Sequence, residues 1–145
     1  MNTFLRESAS CFSAGSAGGL VNSVVVWVVG AIGVTAALGV NIAPTFSADW
    51  LYPRIVWGGL WGFLFLAPAL RGSLYARGLL WSLGPTAVQL LIIFPLVAKK
   101  GVFGMELGTL TPLLVCIFNA VWGLTAAAIL ARIKREPVAA SQQPQ

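Results

Sequence analysis

Long apolar runs separated by short polar segments dominate the chain. The runs cover residues 20–42, 51–70, 78–98 and 112–132. A hydrocarbon core of about 30 Å is crossed by about 20 apolar residues in an α-helix, and each run is long enough. Apolar and polar residues do not alternate within the runs, which argues against the strands of a membrane β-barrel. The pattern therefore predicts an all-α integral membrane protein with four transmembrane helices.

The distribution of Lys and Arg predicts the orientation of these helices. Six of the nine basic residues lie in the N-terminus, the loop after the second span and the C-terminus, and three lie in or beside the other two loops. Cytoplasmic segments are enriched in Lys and Arg, so both termini are predicted to be cytoplasmic. An even number of spans also places both ends on one side. We therefore expect an up-down antiparallel bundle in the plasma or inner membrane.

Three segments follow from this assignment. Residues 1–13 are predicted to be a cytoplasmic N-terminal segment, 14–132 the transmembrane domain, and 133–145 a polar, disordered tail. A cleaved signal peptide is the alternative for the N-terminus. Because the first apolar run has 23 residues, longer than the usual signal-peptide core of about 7 to 15, a retained first helix is favoured.

Composition narrows the possible chemistry. The chain is 58% hydrophobic and 9% charged, whereas a soluble domain carries about a quarter charged residues. It has no histidine, which removes imidazole bases and His-ligated metals or haem. The two cysteines, Cys11 and Cys116, are far apart and form no metal-binding or disulfide pattern. We therefore predict no cofactor, metal or catalytic site. The net charge of +5 fits loops facing lipid rather than a nucleic-acid partner.

Small residues are expected to hold the helices together. Lipid provides no hydrophobic driving force between helices, so close backbone contact at small residues replaces it. The glycines predicted to serve this packing are Gly18, Gly19, Gly30, Gly58, Gly62 and Gly123. Two tryptophans near mid-span, Trp61 and Trp122, are each followed by glycine, and we expect their rings to pack into glycine grooves of neighbouring helices.

Three amides are the principal polar groups inside the predicted spans. At 1.5 Å per residue, Gln89 lies about 16 Å and Asn119 about 20 Å from the inner edge. Their similar depth on adjacent helices predicts a hydrogen bond between them. Asn22 is expected near the inner edge of the first span. Arg54, close to the start of the second span, is predicted to anchor the outer interface by snorkelling, with Asp49 or Glu106 as its partner.

The polar inventory leaves two functional hypotheses. None of the four acids lies centrally in a span, which argues against a proton-coupled transporter, and no catalytic constellation is present. The first hypothesis is a structural or accessory membrane component that packs against itself or another membrane protein within the lipid bilayer. The alternative is a homo-oligomeric channel or permease for a small, uncharged or weakly charged solute, lined by Asn22, Gln89 and Asn119.

Overall fold

A computed structural model describes residues 2–135, and all regular structure within that range is helical. The α-helices are α1 (Thr3–Ala31), α2 (Val34–Ala37), α3 (Ala48–Gly62), α4 (Leu74–Val88) and α5 (Thr111–Arg135). A 3-10 turn at Phe63–Leu66 extends α3, a π-helical segment at Gln89–Val97 extends α4, and a 3-10 segment at Val102–Leu107 precedes α5. Within this described range, three helices are long and apolar enough to cross a membrane: Thr3–Ala31, Leu74–Val97 and Thr111–Arg135.

The first helix lies earlier in the chain than the predicted span at 20–42. It begins at Thr3 and ends at Ala31, so it also contains most of the predicted N-terminal segment. Gly33 adopts a φ of 82°, a left-handed conformation that terminates helices. Hydropathy does not register this break, because Val, Ile and Ala continue on both sides of the glycine.

After α2 the chain folds back instead of completing a straight span. Thr35 Oγ1 donates to Ile42 O at 2.7 Å, which holds the returning segment against the end of α1. A Cβ placed on Gly30 would lie 2.8 Å from Ile42 O and 2.9 Å from the Ala43 Cα. Gly30 therefore packs against this extended segment, whereas the sequence predicts that it packs against another helix.

Capping and proline chemistry fix the start of α3 and the end of its 3-10 extension. Ser47 caps the helix by accepting a hydrogen bond from Trp50 N at 3.3 Å. Asp49 lies in the first turn, where its charge suits the positive end of the helix dipole. At the other end Ala67 is extended, with φ −71° and ψ 133°, because a residue before proline avoids the helical region.

The third apolar run is one helix that changes its winding at Gln89. Pro95 lies inside the π-helical segment Gln89–Val97. In an α-helix its ring would clash with the carbonyl four residues earlier, and the wider winding relieves that clash. Ala98 N accordingly donates to Ile93 O, five residues back, at 2.8 Å.

Helices α1 and α5 pack on each other at the centre of the bundle. Helix α3 packs chiefly on α1 and α4 chiefly on α5, while α3 and α4 hardly touch each other. This arrangement leaves a cleft between α3 and α4, with α1 and α5 beneath it.

The two ends of the bundle differ in character. At one end the two loops meet, and Asn41 N donates to Leu107 O at 2.7 Å. At the other end the start of α1, the start of α4 and the last turns of α5 converge. Helix α5 continues to Arg135, so the predicted tail at 133–145 begins with helical residues; its remainder, 136–145, lies outside the described residues.

Candidate functional site

A glycine-to-glycine crossing joins α1 to α3. A Cβ on Gly58 would lie 2.7 Å from Gly15 O and 2.9 Å from the Gly19 Cα. A Cβ on Gly62 would overlap Cys11 O, and one on Gly19 would lie 2.6 Å from Arg54 O. Real Cβ atoms do not approach backbone this closely, so the two helices are in contact only because these positions lack side chains.

The other predicted packing glycines lie at similar contacts. Gly123 of α5 meets Gly78 of α4, and a Cβ on either one would overlap the carbonyl of the other. Gly18 of α1 accommodates the Trp122 ring, with an added Cβ only 2.9 Å from its Cδ1. Trp61 contacts α4 at Gly84, where an added Cβ would lie 3.3 Å from the Trp61 ring.

Trp122 connects three helices at the centre of the bundle. Its side chain is 2% exposed. Its indole Nε1 donates to Gly15 O at 3.0 Å and to Gly58 O at 3.3 Å. A buried indole N–H needs an acceptor, and the glycine crossing supplies two because the missing side chains leave both carbonyls accessible. The sequence predicts the ring and its glycine groove but not this hydrogen bond.

The predicted contact between the two amides is present. Asn119 Nδ2 lies 3.4 Å from Gln89 Oε1 and 3.1 Å from Thr86 Oγ1. Thr86 Oγ1 in turn donates to Ser82 O at 2.7 Å. The shorter of the two side-chain bonds is therefore to Thr86, a partner that the sequence alone does not predict.

We expect a double-mutant cycle to rank these two bonds. Interhelical hydrogen bonds in membranes average about 0.6 kcal/mol and reach nearly 2 kcal/mol. The bond from Asn119 to Thr86 is shorter than the bond to Gln89. The cycle of Asn119→Ala with Thr86→Val should therefore give a coupling energy of about 1 kcal/mol, and the cycle of Asn119→Ala with Gln89→Leu should give a smaller coupling energy. Reversible unfolding in mixed micelles of dodecyl maltoside and dodecyl sulfate measures both cycles. A larger coupling to Gln89 than to Thr86 would contradict this ranking.

Asn22 and Arg54 join the two amides in a single group, which we call the polar cluster (Asn22, Arg54, Gln89 and Asn119). All four side chains line two adjoining cavities. The sequence predicts Asn22 near the inner edge of its span, but the earlier start of α1 moves it to the level of the other three. Asn22 is 8% exposed, and its Oδ1 accepts no hydrogen bond from residues 2–135.

The structure gives Arg54 different partners from the predicted Asp49 or Glu106. Its Nε donates to Ser23 Oγ at 2.9 Å, and its guanidinium carbon lies 4.8 Å from the centre of the Trp50 ring. Within residues 2–135 its Nη groups donate no hydrogen bond to protein. Arg54 thus points towards α1 and presents unused donors to the cavities, although it was predicted to act as an interface anchor.

Two cavities meet at the polar cluster. The central cavity, about 260 Å³, lies in the cleft between α3 and α4, with Trp57, Trp61 and Ile93 among its apolar walls. The loop-side cavity, about 360 Å³, extends past Pro44 and Trp50 towards the joined loops.

Two buried aromatic rings, Trp122 and Phe65, form a layer that closes the central cavity on the side away from the joined loops. Trp122 lines that cavity and packs against Phe65 in a tilted arrangement, with ring centroids 6.3 Å apart and ring planes at 56°. Both rings belong to a buried cluster that includes Cys11, Ala14 and Ala126. A solute in the central cavity would have to displace this layer to reach the other end of the bundle.

No protein-family model, curated protein or solved structure matches the chain. The chemistry of the site therefore has to be read from its residues. Arg54 supplies charged donors, Asn22 supplies an acceptor, and the Trp57 and Trp61 rings supply apolar walls. These groups suit binding, because none of them is a nucleophile or general base.

Proposed function

We propose that this is a non-catalytic, four-span protein of the plasma or inner membrane that binds an anionic amphiphile in the central cavity. The observation that carries the proposal is Arg54, whose unused guanidinium donors face a cavity with tryptophan walls. An ionisable residue within a membrane span is by default a candidate functional residue, and among residues 2–135 no carboxylate pairs with Arg54. In this proposal, the accessory role predicted from the sequence consists of binding a ligand.

The length of the second helix supports four crossings. Helix α3 and its 3-10 extension together run from Ala48 to Leu66. Fifteen α-helical residues at 1.5 Å and four 3-10 residues at 2.0 Å span about 30 Å, the thickness of the hydrocarbon core. The basic groups that converge at the end opposite the joined loops support a cytoplasmic location for both termini.

The shape of the cleft favours an amphiphile over a soluble anion. Because α3 and α4 hardly touch, the cleft between them faces the acyl chains in a four-span arrangement. Trp57, on its wall, is 60% exposed, so a hydrocarbon tail would replace lipid contacts there. The guanidinium suits a carboxylate or phosphate head, which it binds through paired hydrogen bonds, and Asn22 Oδ1 suits a hydroxyl on that head.

A permease for a small, weakly charged solute is the second candidate. The observation in its favour is that Asn22, Gln89 and Asn119 line the same cavities. The layer of Trp122 and Phe65 opposes it, because within residues 2–135 both rings are buried in one cluster between the central cavity and the other end of the bundle. Glycerol entry into proteoliposomes tests this candidate, since flux abolished by both Gln89→Leu and Asn119→Leu would favour transport over binding alone.

We expect 9,10-dibromostearate to quench the fluorescence of the purified protein, because its bromines would lie beside Trp57 and Trp61. Arg54→Gln should weaken this binding by about tenfold or more, the effect of losing charged hydrogen bonds of about 1.5–3 kcal/mol. The corresponding dibromo alcohol, which lacks the carboxylate, should bind the wild type as weakly as the acid binds the variant.

Two controls make the result decisive. Arg132→Gln removes an exposed arginine outside the central cavity and should leave the binding constant unchanged. Trp57→Ala should reduce the quenching even if Arg54→Gln proves unstable, because Trp57 is an exposed wall residue. Equal binding of acid and alcohol to the wild type would refute an anion-specific site.

A further inference from the structure

A third cavity lies at the opposite end of the bundle from the joined loops. Its volume is about 800 Å³, and it is formed by α1, α4, α5 and the segment that follows α3. The buried layer of Trp122 and Phe65 separates it from the central cavity. It therefore requires its own explanation, and it does not depend on whether Arg54 binds an amphiphile.

Most of the charged side chains that line this cavity are basic, and we call it the basic cavity. Arg6, Arg71, Arg77 and Lys134 line it, and Glu7 is the one carboxylate among its lining residues. They come from α1, the loop after α3, α4 and α5, so folding gathers charges that are far apart in sequence. Positive charges within one cavity repel each other, and this arrangement is stabilised when an anion is bound between them.

One of the four basic groups is held in place by the fold. Arg77 Nη2 donates to Phe65 O and to Ala67 O, the latter at 2.8 Å. Its Nε is buried and has no hydrogen-bond partner within residues 2–135. Arg77 thus shapes the wall, while Arg6, Arg71 and Lys134 are exposed and free to contact a ligand.

Apolar side chains form the rest of the wall. Leu66, Leu74 and Leu130 line the cavity beside the basic groups. A phosphate head with attached acyl chains matches both parts, because the phosphate binds the cations and the chains cover the leucines. Basic pockets between membrane helices bind anionic lipid head groups in this way. We propose that the basic cavity binds the phosphate head group of an anionic phospholipid.

Native mass spectrometry of the delipidated full chain tests this proposal. Dioleoylphosphatidylglycerol should bind with an affinity about tenfold higher than dioleoylphosphatidylcholine, because each exposed basic group adds to the attraction. The triple variant Arg6→Gln, Arg71→Gln, Lys134→Gln should abolish that preference. The variant leaves Arg77 intact, because the loss of its carbonyl contacts would disturb the fold.

A matched variant removes the same charge elsewhere. Lys99→Gln, Lys100→Gln, Arg132→Gln alters three exposed basic residues outside the basic cavity, and it should retain the preference for phosphatidylglycerol. Equal losses in the two triple variants would overturn the proposal in favour of general charge attraction. Inorganic phosphate at millimolar concentration should not displace the lipid; displacement would show that the cavity takes a soluble anion, which would also overturn the proposal.

Discussion

Gly58→Leu is expected to abolish the folded state, and Gly58→Ala to destabilise it by about 2 kcal/mol. The alanine methyl group would lie 2.7 Å from Gly15 O and 2.9 Å from the Gly19 Cα, and both are backbone atoms that move only with their helix. Because neither atom can give way, the cost lies near the upper end of the range of about 1–3 kcal/mol for overpacking. The gain of about 1 kcal/mol in helix propensity from glycine to alanine leaves a net loss of about 2 kcal/mol. Reversible unfolding in mixed micelles measures the difference.

Gly72→Ala is the matched control for this change. Gly72 has no heavy atom within 4 Å of an added Cβ, so the same substitution should change stability by less than about 0.5 kcal/mol. If Gly58→Ala were as stable as Gly72→Ala, the close crossing of α1 and α3 would be wrong.

Trp122→Ala is expected to cost about 3–5 kcal/mol, which is the usual cost of deleting a buried aromatic side chain. The change removes the Phe65 contact, the ring seated against Gly18, and the indole hydrogen bonds to Gly15 O and Gly58 O. Equilibrium unfolding of the variant, followed by circular dichroism in the same mixed micelles, gives the loss directly.

Two further variants separate the parts of this effect. Trp122→Phe keeps most of the ring but loses the indole donor, and it should cost about 1–2 kcal/mol. Trp57→Ala removes a tryptophan that is 60% exposed, and it should cost less than about 1 kcal/mol. A Trp57→Ala loss as large as that of Trp122→Ala would contradict a central role for Trp122.

Hydropathy and spacing predicted the helical class, helices that are long and apolar enough to cross a membrane, and the Gln89–Asn119 contact. These features depend on composition and on rise per residue, which are local properties of the chain. The break at Gly33 was not predicted, because a positive φ leaves no trace in hydropathy. The consequence was a first helix predicted to begin too late in the chain, so that Asn22 was expected near the start of the helix, whereas it lies well inside α1.

The site itself was predicted only in part. Asn22, Gln89 and Asn119 could be identified because a lone amide is conspicuous in an apolar run. The partners of Arg54 were not predicted, since its sequence position near a helix end indicates snorkelling beside Asp49 or Glu106, whereas the glycine contacts of α1 and α3 bring it beside Ser23. Its role as an interface anchor stays a prediction. The basic cavity depends on contacts between segments distant in sequence, so no local pattern could reveal it.

The hydrogen bonds of Trp122 imply an order of assembly during synthesis. Its two acceptors, Gly15 O and Gly58 O, belong to α1 and α3, and they lie side by side only after that helical hairpin has formed. Position 122 leaves the ribosome after both of these helices have been made. Helices α1 and α3 should therefore pair first. Helix α5 then packs on a crossing that has already formed, and the Trp122 hydrogen bonds stabilise it.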